Sequence, residues 1–191
     1  MRTAKYSRKT SETEISCWVD LDGTGKAEID TGIKFFNHLL TSLSFHSMID
    51  IKIEAKGDLK HHIIEDVSIV LGKTLVQALT KDQRILRFAD ATVPMDESLV
   101  TCSIDLGGRS YSKIMLDLTN PMTEDMANED IVHFLSSLAA NLSANIHIQT
   151  FYGENDHHKA EAAFKALAHC LRYAVTIDPR RVNKPSSKGI L

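Results

Sequence analysis

The sequence contains an internal repeat, and each copy of the repeat carries a His-His-x-x-Glu motif. Residues 35–53 read FFNHLLTSLSFHSMIDIKI, and at an offset of 95 they align with residues 130–148, DIVHFLSSLAANLSANIHI. When the offset is increased by one residue, to 96, the motif at 61–65 aligns with the motif at 157–161. The same order of lone His, His-His pair and Glu recurs at near-constant spacing, which favours a duplication over chance similarity.

Both halves show the same pattern of predicted elements. Strand-like runs over 15–22 and 99–105 end at glycine-containing turns, and a weak match at an offset of 85 aligns them. Apolar residues at helical spacing, an alternating strand and a long apolar helix follow in each half. We therefore predict an α+β fold, an internal duplication of a β-β-α-β-α type unit with two pseudo-equivalent halves packed as one body. The chain is expected to be a single domain, 1–191, of two repeats, roughly 1–90 and 91–191.

Composition excludes several classes of function. Hydrophobic residues make up 43% of the chain and the formal net charge is −3, so we expect a globular core and neither a nucleic-acid nor a membrane partner. No apolar run reaches the roughly 18–20 residues that span a bilayer. The three cysteines, Cys17, Cys102 and Cys170, are odd in number and far apart, which argues against disulfides and indicates a cytoplasmic location.

The repeated motif has the spacing of a metal site. Its first His and its Glu are four residues apart on one face of a helix and can share an ion. The second His points about 100° away and can serve a different ion. His38 and His133 add a third pair, and such a nitrogen and oxygen set suits Mn, Fe, Zn or Ni. The candidate ligands are His38, His61, His62, Glu65, His133, His157, His158 and Glu161.

The remaining histidines have simpler interpretations. A lone His or His-His pair is more often a surface group than a ligand. His46 and His147 cannot be told apart from surface groups by sequence alone. His169 lies in the second long helix without a carboxylate at ligand spacing, and we interpret it as structural.

Many ordered segments resemble the imidazoleglycerol-phosphate dehydratase family of histidine biosynthesis, and the resemblance covers nearly the whole chain. Each segment alone is weakly specific, but together they are highly specific. The matching segments are 8–15, 31–38, 61–62 with 65–66, 94–97, 108–109, 155–158 with 161, 164–166 and 185–189.

The resemblance implies a fold, a cofactor and an assembly. The implied fold is a duplicated, ribosomal-protein-S5-domain-2-like α+β unit. Two Mn ions per active site are implied, as is self-association into a 24-subunit shell with active sites between subunits. The implied partner is a small phosphorylated imidazole, D-erythro-imidazole-glycerol phosphate, which the family dehydrates to imidazole-acetol phosphate.

The chain departs from the family pattern at three places. The loop 57–60 runs directly into His61, which makes it about three residues shorter than the family pattern, and it lacks two carboxylates that could orient the imidazoles. Asn37 stands where an Asp usually precedes the metal-binding His, and Ser42 stands where a Gln usually reaches the substrate. These departures affect expected metal affinity and phosphate contacts rather than the ligand set.

The implied reaction removes a hydroxyl beside the ring and a proton from a carbinol carbon that is not acidic. Two metals that each bind one ring nitrogen would hold the ring as an imidazolate, whose electrons expel the hydroxide. The resemblance implies Glu12 as the general base, although an exposed strand carboxylate is the simpler interpretation. Asp96 is expected to contact a substrate hydroxyl or to serve a turn, and His46 to act as acid for the leaving hydroxide.

Cations are needed for the substrate phosphate. Arg109 follows two glycines, and Lys165 lies one helical turn beyond Glu161. The other candidates are Arg87, Ser187 and Lys188. Each of these side chains could instead be an ordinary solvated surface group.

Two alternative functions compete with the dehydratase. One is a metal-dependent hydrolase on a related duplicated scaffold, with a metal-bound water as nucleophile. The other is a non-catalytic metal-binding shell protein, suggested by the shortened loop before His61.

Overall fold

The computed structural model describes residues 1–80, 84–183 and 185–186, and its elements follow the same order in both halves except for two short strands, β8 and β9, in the second half. The first half consists of β1 (Thr3–Lys9), β2 (Thr13–Asp20), β3 (Ala27–Asp30), α1 (Lys34–Ser47), β4 (Asp50–Gly57) and α2 (Lys60–Leu79). The second half consists of β5 (Phe88–Met95), β6 (Ser98–Asp105), β7 (Tyr111–Met115), β8 (Met122–Thr123), β9 (Met126–Ala127), α3 (Asn128–Leu142), β10 (Asn145–Tyr152) and α4 (Asp156–Ala174).

Each half forms a four-stranded sheet of the same topology. The strand orders are β1-β2-β4-β3 and β5-β6-β10-β7. The first three strands of each sheet pair antiparallel, and the short fourth strand, β3 or β7, pairs parallel with its neighbour. Parallel neighbours need a crossover connection, which α1 and α3 provide. The predicted α+β duplication is confirmed, with one further strand, β3 or β7, in each four-stranded sheet. The second half also has a two-stranded sheet, β8-β9, before its first helix.

The period-two pattern of the strands sets which sheet face is buried. In β2 the side chains of Ile15, Cys17 and Val19 are buried, and β6 buries the residues 85 positions later, Val100, Cys102 and Ile104. Alternating residues of a strand point to opposite faces, so each sheet turns one apolar face towards the helices.

The helices of the two halves pack against each other. Helices α1 and α2 cover the first sheet and α3 and α4 the second, while α1 contacts α4 and α2 contacts α3. A helix that meets a sheet on one side and a second helix on the other must be apolar around most of its surface. The rings of Phe36, Phe134 and Phe164 meet in this layer, with centroids 5.1 and 5.5 Å apart, and join α1, α3 and α4.

Two further expectations concern cysteines and membranes. Cys17, Cys102 and Cys170 are all free and buried, and burial raises the pKa of Cys17 to about 12, which makes its thiol a poor nucleophile.

Within the described ranges, none of the helices combines the length and apolar character needed to cross a membrane.

Replacing Gly72 by Ala should destabilise the fold. An added Cβ at Gly72 would lie 2.7 Å from Cβ of Asn141 and 2.9 Å from the backbone nitrogen of Leu142, so α2 and α3 would have to separate. Overpacking of this kind costs about 1–3 kcal/mol, which urea denaturation would measure. Gln77→Ala, on the exposed face of the same helix, should change stability by less than about 0.5 kcal/mol. Equal stabilities for the two variants would contradict the close approach of α2 and α3.

Candidate metal centre

The two His-His-x-x-Glu motifs open equivalent helices. His61 and His157 are each the second residue of their helix, in α2 and α4 respectively. The start of α4 is held by Asn155, whose side-chain oxygen accepts a hydrogen bond from the backbone N–H of His157 at 2.9 Å. Helical spacing then stacks each first His above its Glu, as the sequence predicted.

The first cluster, cluster A, consists of His38, His157 and Glu161. The Nε2 atoms of His38 and His157 lie 3.2 and 3.3 Å from the same Glu161 oxygen, Oε2. His38 comes from α1 in the first half, whereas His157 and Glu161 come from α4 in the second half. The three side chains border an open depression of about 510 Å³ that Phe35 and Glu124 also line.

The second cluster, cluster B, consists of His61, Glu65 and His133. The rings of His61 and His133 are 5.1 Å apart, and His133 Nε2 lies 3.6 Å from Glu65 Oε1. Here α2 of the first half supplies two groups and α3 of the second half supplies the third. Clusters A and B are therefore related by the duplication, and each is assembled across the two halves.

Both clusters fit a divalent metal ion. Their ligand atoms lie within 4.8 Å of one another in each group. Donors that share an ion at about 2.0–2.2 Å necessarily lie roughly 3–4 Å apart, which matches this spacing. The Nε2 atom of His133 is buried and meets no hydrogen-bond partner in the described part of the chain, so a bound ion would satisfy it. Imidazole and carboxylate without thiolate suit Mn, Fe, Zn or Ni.

The two oxygens of Glu161 have different partners. Oε2 faces the imidazoles of cluster A, while Oε1 lies 2.8 Å from the ammonium of Lys165, one turn further along α4. Burial raises the pKa of Glu161, but the hydrogen bonds from Lys165 and His38 outweigh it and bring the pKa down to about 2. The carboxylate is thus ionised at neutral pH, as a metal ligand must be.

The second His of each motif lies outside both clusters. His62 Nδ1 is 2.8 Å from Asp58 Oδ1, and His158 Nδ1 is 2.7 Å from Glu97 Oε2. These hydrogen bonds raise the pKa of both imidazoles. A carboxylate at Nδ1 fixes the proton there and leaves Nε2 as the atom that can bind a metal.

The first His of each motif also has a carboxylate at Nδ1. His61 Nδ1 lies 2.5 Å from Asp130 of α3, and His157 Nδ1 lies 3.2 Å from Glu124 of the β8–β9 turn. The shortened loop before His61 therefore does not leave these imidazoles without partners, because carboxylates from other segments orient them.

The predicted catalytic residues lie beside the second His of each motif or along α1. Glu12 Oε2 is 3.8 Å from His62 Nδ1, and the exposed Asp96 is 3.6 Å from His158 Nε2. His46 lies two turns beyond His38, with its ring 5.8 Å from that of His169. Burial, with the charges of Lys165 and His169, lowers the pKa of His46, so its ring is mostly neutral at pH 7.

The structure separates the predicted phosphate-binding residues. Lys165 borders cluster A, whereas Arg87 forms two hydrogen bonds to Asp105, at 2.6 and 3.0 Å, and donates to the carbonyl of Pro185. Arg109 is exposed after Gly108, which adopts a φ of 77°. Ser187 and Lys188 lie outside the described residues.

The sequence did not reveal the residues that orient the site. Asp130 and Glu124 come from segments far from the histidines they contact, and neither matches a motif. Asp125 accepts the backbone N–H groups of Lys34 and Phe35 and caps α1, which carries His38. Glu97 could have been found, because the offset of 85 aligns it with Glu12.

In the described part of the chain, the fold and the clusters define a duplicated α+β protein with two His/His/Glu sites that fit a metal ion, and comparisons with known proteins show its family. The model of the family "Imidazoleglycerol-phosphate dehydratase" matches residues 31–171. The chain is 46% identical over its full length to that dehydratase from Dehalococcoides mccartyi, of which it covers 97%, and 45% identical to the one from Methanosarcina barkeri, with full coverage of both.

Solved structures agree with these sequence matches. The imidazoleglycerol-phosphate dehydratase of Staphylococcus aureus has a TM-score of 0.85 and 31% identity, with 92% of this chain and 99% of that chain covered. The enzyme of Pyrococcus furiosus has a TM-score of 0.85 and 36% identity, with 97% and 100% covered. The chain belongs to the imidazoleglycerol-phosphate dehydratase family.

Replacing Asp125 by Ala should destabilise the start of α1. The N-cap residue of this helix, Ile33, makes no side-chain cap, and among the described residues the acceptor for the N–H groups of Lys34 and Phe35 is Asp125, at 2.9 Å. Loss of such a cap costs about 0.5–2 kcal/mol, which thermal or urea unfolding would show. Glu154→Ala, at an exposed loop position, is the control and should be nearly neutral. Unchanged stability of the Asp125 variant would contradict the capping role.

Proposed function

We propose that the chain catalyses dehydration of D-erythro-imidazole-glycerol phosphate to imidazole-acetol phosphate in histidine biosynthesis. Family membership supports the activity. The observation that carries the proposal is the pair of His/His/Glu clusters, each assembled from both halves of the chain. A reaction on an imidazole ring suits this arrangement, because the ring has two nitrogens and the duplication provides two equivalent sites.

Two Mn ions are the proposed cofactors of each active site. His38, His157 and Glu161 would hold one ion, and His61, Glu65 and His133 the other. When bound, the two ions supply Lewis acidity at the substrate ring nitrogens and favour the imidazolate form of the ring. Hydrogen bonds from Lys165 and His38 keep the Glu161 carboxylate ionised, and carboxylates at Nδ1 orient the imidazoles of both motifs before an ion is bound.

Glu12 is proposed as the general base. Its side chain is exposed, and its Oε2 atom lies 3.8 Å from His62 Nδ1. No described residue donates a hydrogen bond to the carboxylate. An unengaged carboxylate is free to accept a proton from the substrate carbon. Asp96, beside His158, is proposed to contact a substrate hydroxyl. His46, whose ring is neutral, would donate a hydrogen bond to the departing hydroxyl rather than a full proton.

The substrate phosphate is proposed to bind the cationic set predicted from the sequence. Lys165 stands beside cluster A, and Arg87 is held by Asp105 with one N–H on the Pro185 carbonyl. The proposed phosphate ligands are Arg87, Arg109, Lys165, Ser187 and Lys188.

Self-association is proposed to complete the metal sites. Within the described residues each cluster has three candidate ligands, while His62 and His158 lie outside both clusters with their Nδ1 atoms held by carboxylates. We propose that these imidazoles serve ions held by neighbouring copies, in a closed shell of the kind the resemblance implies. The halves themselves are proposed to act as one domain, because each cluster needs both.

Activity is tested with D-erythro-imidazole-glycerol phosphate and metal-loaded protein. Formation of imidazole-acetol phosphate that depends on added Mn²⁺ is the expected result. Metal-loaded protein that releases inorganic phosphate would indicate a hydrolase instead. Metal-loaded protein that leaves the substrate unchanged would favour a non-catalytic shell protein.

Replacement of Glu12 by Gln should remove activity without removing metal. The amide cannot accept the proton, so kcat should fall by roughly 10²–10⁴-fold. The matched control is Glu14→Gln, two residues along the same segment, because Glu14 is exposed and paired with Lys9. Steady-state kinetics and elemental analysis measure both effects. Normal turnover by the Glu12 variant would show that the base is another group.

Replacing one His of either cluster should remove one bound metal ion. His38→Ala should empty cluster A and His133→Ala cluster B, so each variant is expected to retain about one ion per chain, against about two in the parent. Inductively coupled plasma mass spectrometry after dialysis gives the count. His147→Ala, at an exposed His of β10, should keep both ions. A single replacement that leaves both ions bound would contradict the cross-half assignment.

A further inference from the structure

The second His of each motif has a carboxylate at its Nδ1 atom, but the two carboxylates come from different segments of the repeat. His158 receives it from Glu97, in the turn between β5 and β6, at 2.7 Å. His62 receives it from Asp58, four residues earlier in the chain and just before α2, at 2.8 Å. The two halves therefore make the same contact with non-equivalent residues.

The repeat shows which residue would be expected to accept the Nδ1 hydrogen bond of His62. The offset of 85 aligns β1 and β2 with β5 and β6, and it places Glu12 opposite Glu97. Glu12 does approach His62, but its Oε2 atom stays 3.8 Å from Nδ1, which is beyond hydrogen-bond distance. Asp58 occupies the closer position.

Glu97 and Glu12 differ in the number of hydrogen bonds that their carboxylates accept. Glu97 accepts the backbone N–H groups of Asn155 at 2.9 Å and Glu154 at 3.3 Å, the Ser98 hydroxyl at 3.0 Å, and the His158 ring. No described residue donates a hydrogen bond to the Glu12 carboxylate, and its side chain is 56% exposed. One glutamate is fixed as a structural partner, and its counterpart in the repeat is left unengaged.

We infer that Asp58 is the positioning residue of His62 and that it takes over in the first half the role of Glu97 in the second. Its carboxylate holds the proton at Nδ1 and directs Nε2 towards an ion. Glu12 is thereby released from orienting an imidazole and is available for proton transfer. The inference rests on the proposed function, since it assumes that His62 binds metal.

Calorimetric titration of metal-free protein with MnCl₂ tests the inference. Asp58→Ala should weaken Mn²⁺ binding at the affected site by roughly 10–100-fold, the usual effect of removing such a partner. Asp58→Asn should restore most of this affinity, because the amide oxygen still accepts the Nδ1 proton. Asp58 also accepts the backbone N–H of Leu59 at 2.7 Å, so unfolding of the metal-free variants is compared to detect any loss of structure.

Three further variants fix the interpretation. His62→Ala should weaken Mn²⁺ binding at least as much as Asp58→Ala. Glu12→Gln should bind Mn²⁺ like the parent. Glu54→Ala, which replaces an exposed carboxylate of β4, should also bind Mn²⁺ like the parent. Parent-like Mn²⁺ binding by Asp58→Ala, or equal losses in Glu12→Gln and Asp58→Ala, would overturn the inference. Parent-like binding by His62→Ala would instead overturn the ligand assignment within the proposed function, a separate failure.

Discussion

Packing of α1 on α4 and of α2 on α3 is the interaction on which the rest of the structure depends. Each half alone carries a His-His-x-x-Glu helix and a lone His on a different helix. Only the contact between halves brings His133 to cluster B and His38 to cluster A. Gly72 allows α2 and α3 to approach closely enough for this. The apolar helix layer therefore stabilises the fold and assembles the metal-type sites at the same time.

The sequence predicted the parts of this arrangement that depend on local spacing. The period of two along β2 and β6 and the helical spacing of the four helices gave the α+β duplication, which is confirmed. The four-residue spacing within each motif correctly placed the first His and the Glu on one helix face. The short edge strands β3 and β7 were missed, because four or five residues with one exposed face give little periodic signal.

The rest depends on tertiary contacts that leave no local pattern. Which lone His joins which motif is decided by the packing between halves, and the sequence offset aligned His38 with His133 without pairing either to a cluster. The carboxylates at the imidazole Nδ1 atoms, such as Asp130, lie up to 69 residues away in sequence. Their acidic side chains look like ordinary helix or turn residues until the fold brings them to an imidazole.

The central claim is that two ions are each held by groups from both halves of the chain. An anomalous-scattering map at the Mn edge, from crystals of Mn-loaded protein, tests it most directly. We predict two peaks per chain, each about 2.0–2.2 Å from its ligand atoms, one among His38, His157 and Glu161 and one among His61, Glu65 and His133. A single peak, or peaks remote from these six side chains, would contradict the account.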